Sequence, residues 1–387
     1  MLDESLVKSL TSTLNQSQNC AVLACLHMMH CKKKCAFELI WGPPGTGKTK
    51  TTATLLVCLL KMKRRTLICA PTNVAITEVA SRVIKIMAET EGGDSFCSFG
   101  DILLFGNKER LKVGSETQEV YLDYRVQRLV ECFGSLGLFS RFTSIINFLE
   151  DSVSQYQIFV ENELIKEREE CTEEEIKDKG SKVKLKSFLE YVRYRFVCNV
   201  APLRKCVSIF CTHIPRSYIL EQNFQNMMSL TELLDCLEGF LFQDNVAFEE
   251  LEKLFSHSQV IEDPSHVDRT FFPSVKSACI SLSRSLQCSL KQLDLPSFMN
   301  EAKITKFCFQ KASLVFSTVS SSYKLHRMDI EPVTVLVIDE AVQLKECEST
   351  IPLQLPGIRN VVLVGDECQL PATVTSKVCR SFSLSIS

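Results

Sequence analysis

The run Gly-Pro-Pro-Gly-Thr-Gly-Lys-Thr at 42–49 constrains this chain more than any other feature. It fits G-x-x-x-x-G-K-[ST], with the apolar stretch Phe37–Trp41 before it and "GKTKTTATLLVCLLKM" (47–62), apolar at helical spacing, after it. Gly42, Gly45 and Gly47 let the backbone bend until successive N–H groups face one point, and Pro43, Pro44 and Thr46 complete the turn. A helix beginning at Lys48 adds the positive end of its dipole. That is a cradle for phosphates. Lys48 is placed to reach the β- and γ-phosphates of a nucleotide, and the Thr49 hydroxyl to ligate Mg²⁺.

The surrounding pattern predicts an α/β fold. Residues 15–31 read as a helix, 37–41 as a short buried strand, 65–70 as a second strand and 73–90 as a helix capped by Asn73. The same grammar returns in "SLVFSTV" (313–319), "VTVLVID" (333–339) and "NVVLVGD" (360–366), three Val/Leu/Ile-rich runs that suit the centre of a parallel sheet. Between the two halves, 91–312 turns mainly helical, with a small β element near 96–111. Val120, Tyr124, Leu129 and Phe133, then Phe142, Ile145, Ile146 and Leu149, recur at helical spacing. Residues 161–186, dense in both charge signs, read as a solvated helix or connector. The expected organisation is one α/β domain, residues 1–90 and 313–387, split by a large helical insertion.

A second acidic motif supports a nucleotide chemistry. "VLVIDEA" (335–341) is a strand ending in two acids, Asp339 to hold Mg²⁺ and Glu340 to position and deprotonate an attacking water. In open parallel sheets ligands gather at the carboxyl ends of strands, where both motifs fall. One strand later, Gln369 in "VLVGDECQLPATV" is either a sensor of the γ-phosphate or a surface loop residue.

Composition sets limits around this. Lys and Arg number 44 against 46 Asp and Glu, a net charge of −2, so no global basic field is available to grip nucleic acid. The 19 cysteines include no C-x-x-C pair and often sit in apolar runs, as Cys58 and Cys69 do, which is how small core residues look in a reducing compartment. Cys20, Cys25, His27, His30, Cys31 and Cys35 cluster within sixteen residues, at spacings that match no common zinc motif, and packing on a helix is the simpler reading. The acidic start and the lack of an unbroken apolar run near ~18 residues imply a soluble intracellular protein without a membrane partner.

Taken together, "LNQSQNCAV" (14–22), "GPPGTGKT", "APTNVAITEVASR" (70–82), "VIDEA" and "GDECQLPA" resemble superfamily 1 helicases, of the nonsense-mediated-decay and senataxin group and particularly its plant relatives. The resemblance implies a RecA-like P-loop NTPase sheet, with ATP and Mg²⁺ as cofactors and single-stranded RNA or DNA as partner, in nucleus or cytoplasm. It places Gln18 on the adenine and Gln369 on the γ-phosphate, and it lays Pro71, Thr72, Asn73 and Thr318 along the sugar–phosphate backbone. It also leaves room for protein partners on the insertion. Val342, after "DEA", stands where the family usually has a smaller residue. Only about sixteen residues follow Pro371, too few for the second RecA-like domain that supplies catalytic arginines. From this chain alone, ATP binding is expected to survive and fast hydrolysis is not. The alternative reading is a non-catalytic ATP-binding module or interaction protein derived from such a helicase.

Overall fold

The computed structural model describes residues 4–29, 35–90, 99–170, 185–243, 252–255, 267–293 and 301–368. The chain divides into two compact units. The first comprises Met1–Leu129, Cys211–Arg216 and Ser297–Ser387, and the second Val130–Phe210 and Ser217–Pro296.

The first unit is built on six parallel strands, β1 (Ala36–Trp41), β2 (Thr66–Ala70), β3 (Ile102–Leu104), β4 (Leu314–Thr318), β5 (Val335–Ile338) and β6 (Asn360–Gly365), in the order β1-β6-β5-β2-β4-β3. Every residue of β2, β4 and β5 is buried, as expected for strands covered on both faces. The helices of the first ninety residues are α1 (Glu4–Thr11), α2 (Gln16–Met28), α3 (Lys48–Lys61) and α4 (Asn73–Thr90). Leu56 of α3 and Val79 of α4 join Ile68, Phe316, Val337 and Val362 of the sheet in one apolar core. Each fully buried side chain of this kind contributes about 1.5–3 kcal/mol. Threonine suits the buried face of α3 because its hydroxyl can turn inward on the helix: Thr51 donates to the Gly47 carbonyl and Thr54 to that of Lys50.

Two sequence expectations change here. β1 is an edge strand and not a buried one: Phe37, Leu39 and Trp41 stand 64%, 70% and 60% exposed while Ile40 is buried. Among the described residues the strand has a neighbour on one side only, and its apolar residues alternate onto the exposed face. The cap of α4 is Thr72, whose hydroxyl accepts the Ala75 amide at 3.2 Å, and Asn73 is the first helical residue.

The sheet unit also reaches beyond residue 90. β3 pairs with β4, and the adjoining loops are fixed by Arg125, a fully buried arginine. Its guanidinium donates to the carbonyls of Ile102 (3.1 Å), Gly100 (2.6 Å) and His213 (2.7 Å). Buried carbonyls without a donor are costly, and this side chain serves three at once.

Every described element of the second unit is helical. Its helices are the end of α5 (Leu122–Phe133), then α6 (Leu138–Glu170, interrupted by non-helical backbone at Asp151), α7 (Phe188–His213, to Phe210), α8 (Glu221–Leu241) and α9 (Phe272–Lys291). Phe142, Phe148, Phe188, Phe196 and Leu286 lie in its interior. A window within Leu122–Lys166 has mean hydropathy 1.3, enough by length and composition to match a membrane span, although no unbroken apolar run occurs there. Its apolar residues recur at helical spacing, and 44% of the window is buried inside the structure. Within the charged stretch read as a helix or connector, α6 runs to Glu170, and 171–184 lie outside the described residues.

Candidate nucleotide-binding site

The glycine run leaves the carboxyl end of β1 and enters α3. The Gly42 amide donates to Gly365 at the end of β6, and the Thr46 hydroxyl closes the turn on the Pro43 carbonyl at 2.7 Å. Gly45 and Gly47 adopt φ of +78° and +84°, a left-handed backbone that favours glycine. Gly47 is also the N-cap of α3 and carries no capping side chain. The amides of the first turn, Lys48 to Lys50, therefore have no acceptor within the helix, and its positive end faces the loop. Lys48 spans this loop, its ammonium donating to the carbonyls of Gly42 (2.6 Å) and Pro43 (3.3 Å). Pro43, Pro44, Gly45 and Thr46 are exposed and Thr49 is half-buried.

Gln18 is held to the same loop from α2. Its backbone amide bonds the Asn15 side chain and its Oε1 accepts the Asn15 amide, a reciprocal cap that leaves Nε2 to donate to the Thr46 carbonyl at 2.9 Å. A Cβ on Gly47 would stand 2.6 Å from that Nε2, so the glycine admits both the turn and the glutamine. Gly47→Ala is expected to cost about 2 kcal/mol, backbone strain plus the lost hydrogen bond, and to weaken ATP binding. Gly45→Ala, where a Cβ meets open space, is expected to cost only the strain, about 1 kcal/mol. Denaturation midpoints and ATP titrations of the two variants check the contrast.

Two strands along the sheet, β5 delivers the acids. The Asp339 amide donates to Cys69 of β2, fixing the carboxyl at the sheet edge with 4% exposure. Burial, then the neighbouring Glu340 charge, raise its pKa to about 6; the Lys48 ammonium pulls the other way, and Glu78 of α4 adds a smaller push upward. Glu340 has a left-handed backbone (φ +51°), and its carboxylate accepts the Gln343 amide at 3.1 Å. The Thr49 hydroxyl and the Asp339 carboxylate are hard oxygen donors of the kind Mg²⁺ prefers. Burial first, and then the Glu340 charge, disfavour the ionised carboxylate, and a dication beside it would stabilise that form. The residues fit the ion.

The carboxyl ends of β2 and β4 lie side by side, with Ala70 opposite Thr318 in the register. Pro71 and Asn73 are half-buried and Thr72 is exposed. Thr318 is only 5% exposed, and its hydroxyl is engaged with Ser321 at 2.9 Å, while Ser320 is the exposed member of that turn. Gln369 lies outside the described residues, as do His30 and Cys31 of the His/Cys cluster. Of the rest of that cluster, Cys25 is buried and Cys20 and Cys35 are exposed. Sequence reasoning passed over Asp366, an acid at the end of β6 that is 2% exposed and accepts the Cys368 amide at 3.0 Å. Its signal was available: like Asp339, it ends an apolar strand.

A glycine loop between a parallel strand and a helix, with a buried acid two strands away on the same edge, defines a RecA-like P-loop domain. The comparisons with known proteins carry this to a family. The family described as AAA domain matches residues 13–377, and the chain belongs to it, within the superfamily 1 helicases of the nonsense-mediated-decay and senataxin group. It is similar to helicase sen1 of Schizosaccharomyces pombe, 24% identical over 367 residues, 90% of this chain and 16% of that protein. It is also similar to ATP-dependent helicase NAM7 of Saccharomyces cerevisiae, 45% over 71 residues, 18% of this chain and 7% of that one. The regulator of nonsense transcripts 1 homolog of Arabidopsis thaliana is 39% identical over 93 residues, 24% of this chain and 6% of the relative. The chain thus spans less than a fifth of the length of each of these relatives.

Proposed function

We propose that this chain is the first motor domain of an intracellular superfamily 1 helicase, nuclear or cytoplasmic, which binds and hydrolyses Mg-ATP in a cycle coupled to single-stranded RNA or DNA. The observation that carries the reading is the meeting of the Gly42–Thr49 loop and the Asp339–Glu340 pair on one sheet edge, close enough for the Lys48 charge to act on the Asp339 carboxyl. ATP supplies the phosphoanhydride bond and Mg²⁺ neutralises charge on its phosphates. The residues of this chain do the rest. First-turn amides of α3 and Lys48 hold phosphate oxygens, Thr49 and Asp339 hold the ion, Gln18 orients the base, and Glu340 takes the proton of the attacking water. Gln369 senses the γ-phosphate, and Pro71, Thr72, Asn73 and Thr318 mark the path of the single strand. Contacts of that kind are made to a backbone, so binding is expected to be weakly sequence-selective and to weaken with salt.

The decisive experiment measures ATP turnover with and without single-stranded RNA or DNA, beside Lys48→Ala. Turnover that rises with the strand and is lost in Lys48→Ala supports the proposal. ATP binding with turnover equal to that of the variant, strand or no strand, overturns the motor and leaves a nucleotide-binding module.

A further inference from the structure

Away from the nucleotide site, α5 and α7 meet within the second unit through three successive pairs. Glu131 and Lys205 form an ion pair, the Cys132 thiol donates to the Cys206 carbonyl at 3.3 Å, and the rings of Phe133 and Phe210 pack edge to face at 5.7 Å. The middle pair holds the Cys132 sulfur against the Cys206 backbone, near enough to act on the Cys206 thiol as well. The ion pair and the ring pair on either side fix the register of the two helices.

The chemistry of this pair differs from that of other buried cysteines. Burial drives the thiols of Cys25, Cys69 and Cys211 up to about 12, which leaves them protonated and inert. Cys206 goes the other way, to about 7, chiefly through the hydrogen bond from Cys132, with Arg141 and Lys205 adding positive charge against burial and Glu131. Access is graded too: Cys206 is 6% exposed and Cys132 fully buried.

We propose that Cys132 and Cys206 are a reversible oxidation site, closing into an intramolecular disulfide when hydrogen peroxide is the oxidant. The Cys206 thiolate attacks one peroxide oxygen, the O–O bond breaks, and hydroxide leaves to take up a proton as water. The sulfenic acid on Cys206 is then attacked by the Cys132 sulfur; the S–S bond forms, the S–O bond breaks, and a second water departs with the Cys132 proton. Two thiols lose two electrons and one peroxide becomes two waters. The product would tie the end of α5 to the last third of α7 within the helical unit.

The test uses the full chain, exposed to hydrogen peroxide, alkylated with iodoacetamide and digested without reductant for mass spectrometry. The expected result is a linked peptide joining Cys132 to Cys206, lost on treatment with dithiothreitol. In Cys132→Ser, Cys206 is expected to accumulate a sulfenic acid that dimedone traps; in Cys206→Ser neither product forms. Recovery of both cysteines as alkylated thiols from oxidised wild-type protein overturns the proposal. So does their appearance in disulfides with other cysteines, such as the exposed Cys198 or Cys288. The wild-type measurement decides the matter even if a variant folds poorly.

Discussion

Asp339→Asn is expected to make the protein more stable and to end its response to Mg-ATP. In the unfolded chain the Asp339 carboxyl titrates near its usual 3.8, and in the folded chain near 6. A carboxyl raised on folding gives stability that is whole below the lower value and is lost as pH rises through the upper one. At neutral pH the ionised, buried group therefore costs the fold roughly 2–3 kcal/mol. Asparagine keeps the shape and removes the charge. The variant should unfold at a higher denaturant midpoint than wild type at neutral pH, with the difference closing as pH falls below about 4, where the carboxyl is protonated in the folded and the unfolded chain alike. ATP with Mg²⁺ should raise the melting temperature of wild type and leave the variant unmoved. A variant no more stable than wild type at neutral pH would show that the charge is not strained. For the same reason, Mg-ATP affinity of wild type should fall as pH drops through about 6.

Glu340→Gln is expected to separate binding from hydrolysis. The left-handed backbone at Glu340 turns the chain sharply after β5, so consecutive acids serve different tasks: Asp339 sits buried at the sheet edge, and Glu340 is held outside it by Gln343. Glutamine preserves that turn and the size of the side chain but is no base. Turnover in the presence of a single strand should fall by roughly 10²–10⁴, the share a general base contributes, while ATP affinity stays within a factor of about two. Parallel turnover and equilibrium-binding titrations check this. Equal loss in both would move Glu340 from the chemical step to the binding of nucleotide.

The parts of this protein that physics writes locally were legible in its residues. The runs around Ile68, Phe316 and Val337 are apolar on both alternating faces, which only a covered strand tolerates, and they became β2, β4 and β5. The placement of the glycine loop between β1 and α3, and of the acids at the end of β5, was legible because the residues that make such a turn and end such a strand fall at fixed spacing in the sequence. Features set by neighbours distant in sequence were not. Whether Phe37, Leu39 and Trp41 face a core depends on what lies beside β1, and local alternation is the same at an edge or a centre. Arg125 reads as a solvated residue on a helix until the carbonyls of Gly100, Ile102 and His213 converge on it. The role of Thr72 at the start of α4 was missed by one position, since Thr and Asn both cap helices well.

The edge position of β1 has an optical corollary. Trp41 is the sole tryptophan of the chain, 60% exposed, and it immediately precedes Gly42. The tryptophan fluorescence of this chain is therefore a single-site signal, emitted from water at the doorstep of the glycine loop. Quenchers in solution reach it, and its emission reads out one place without any label.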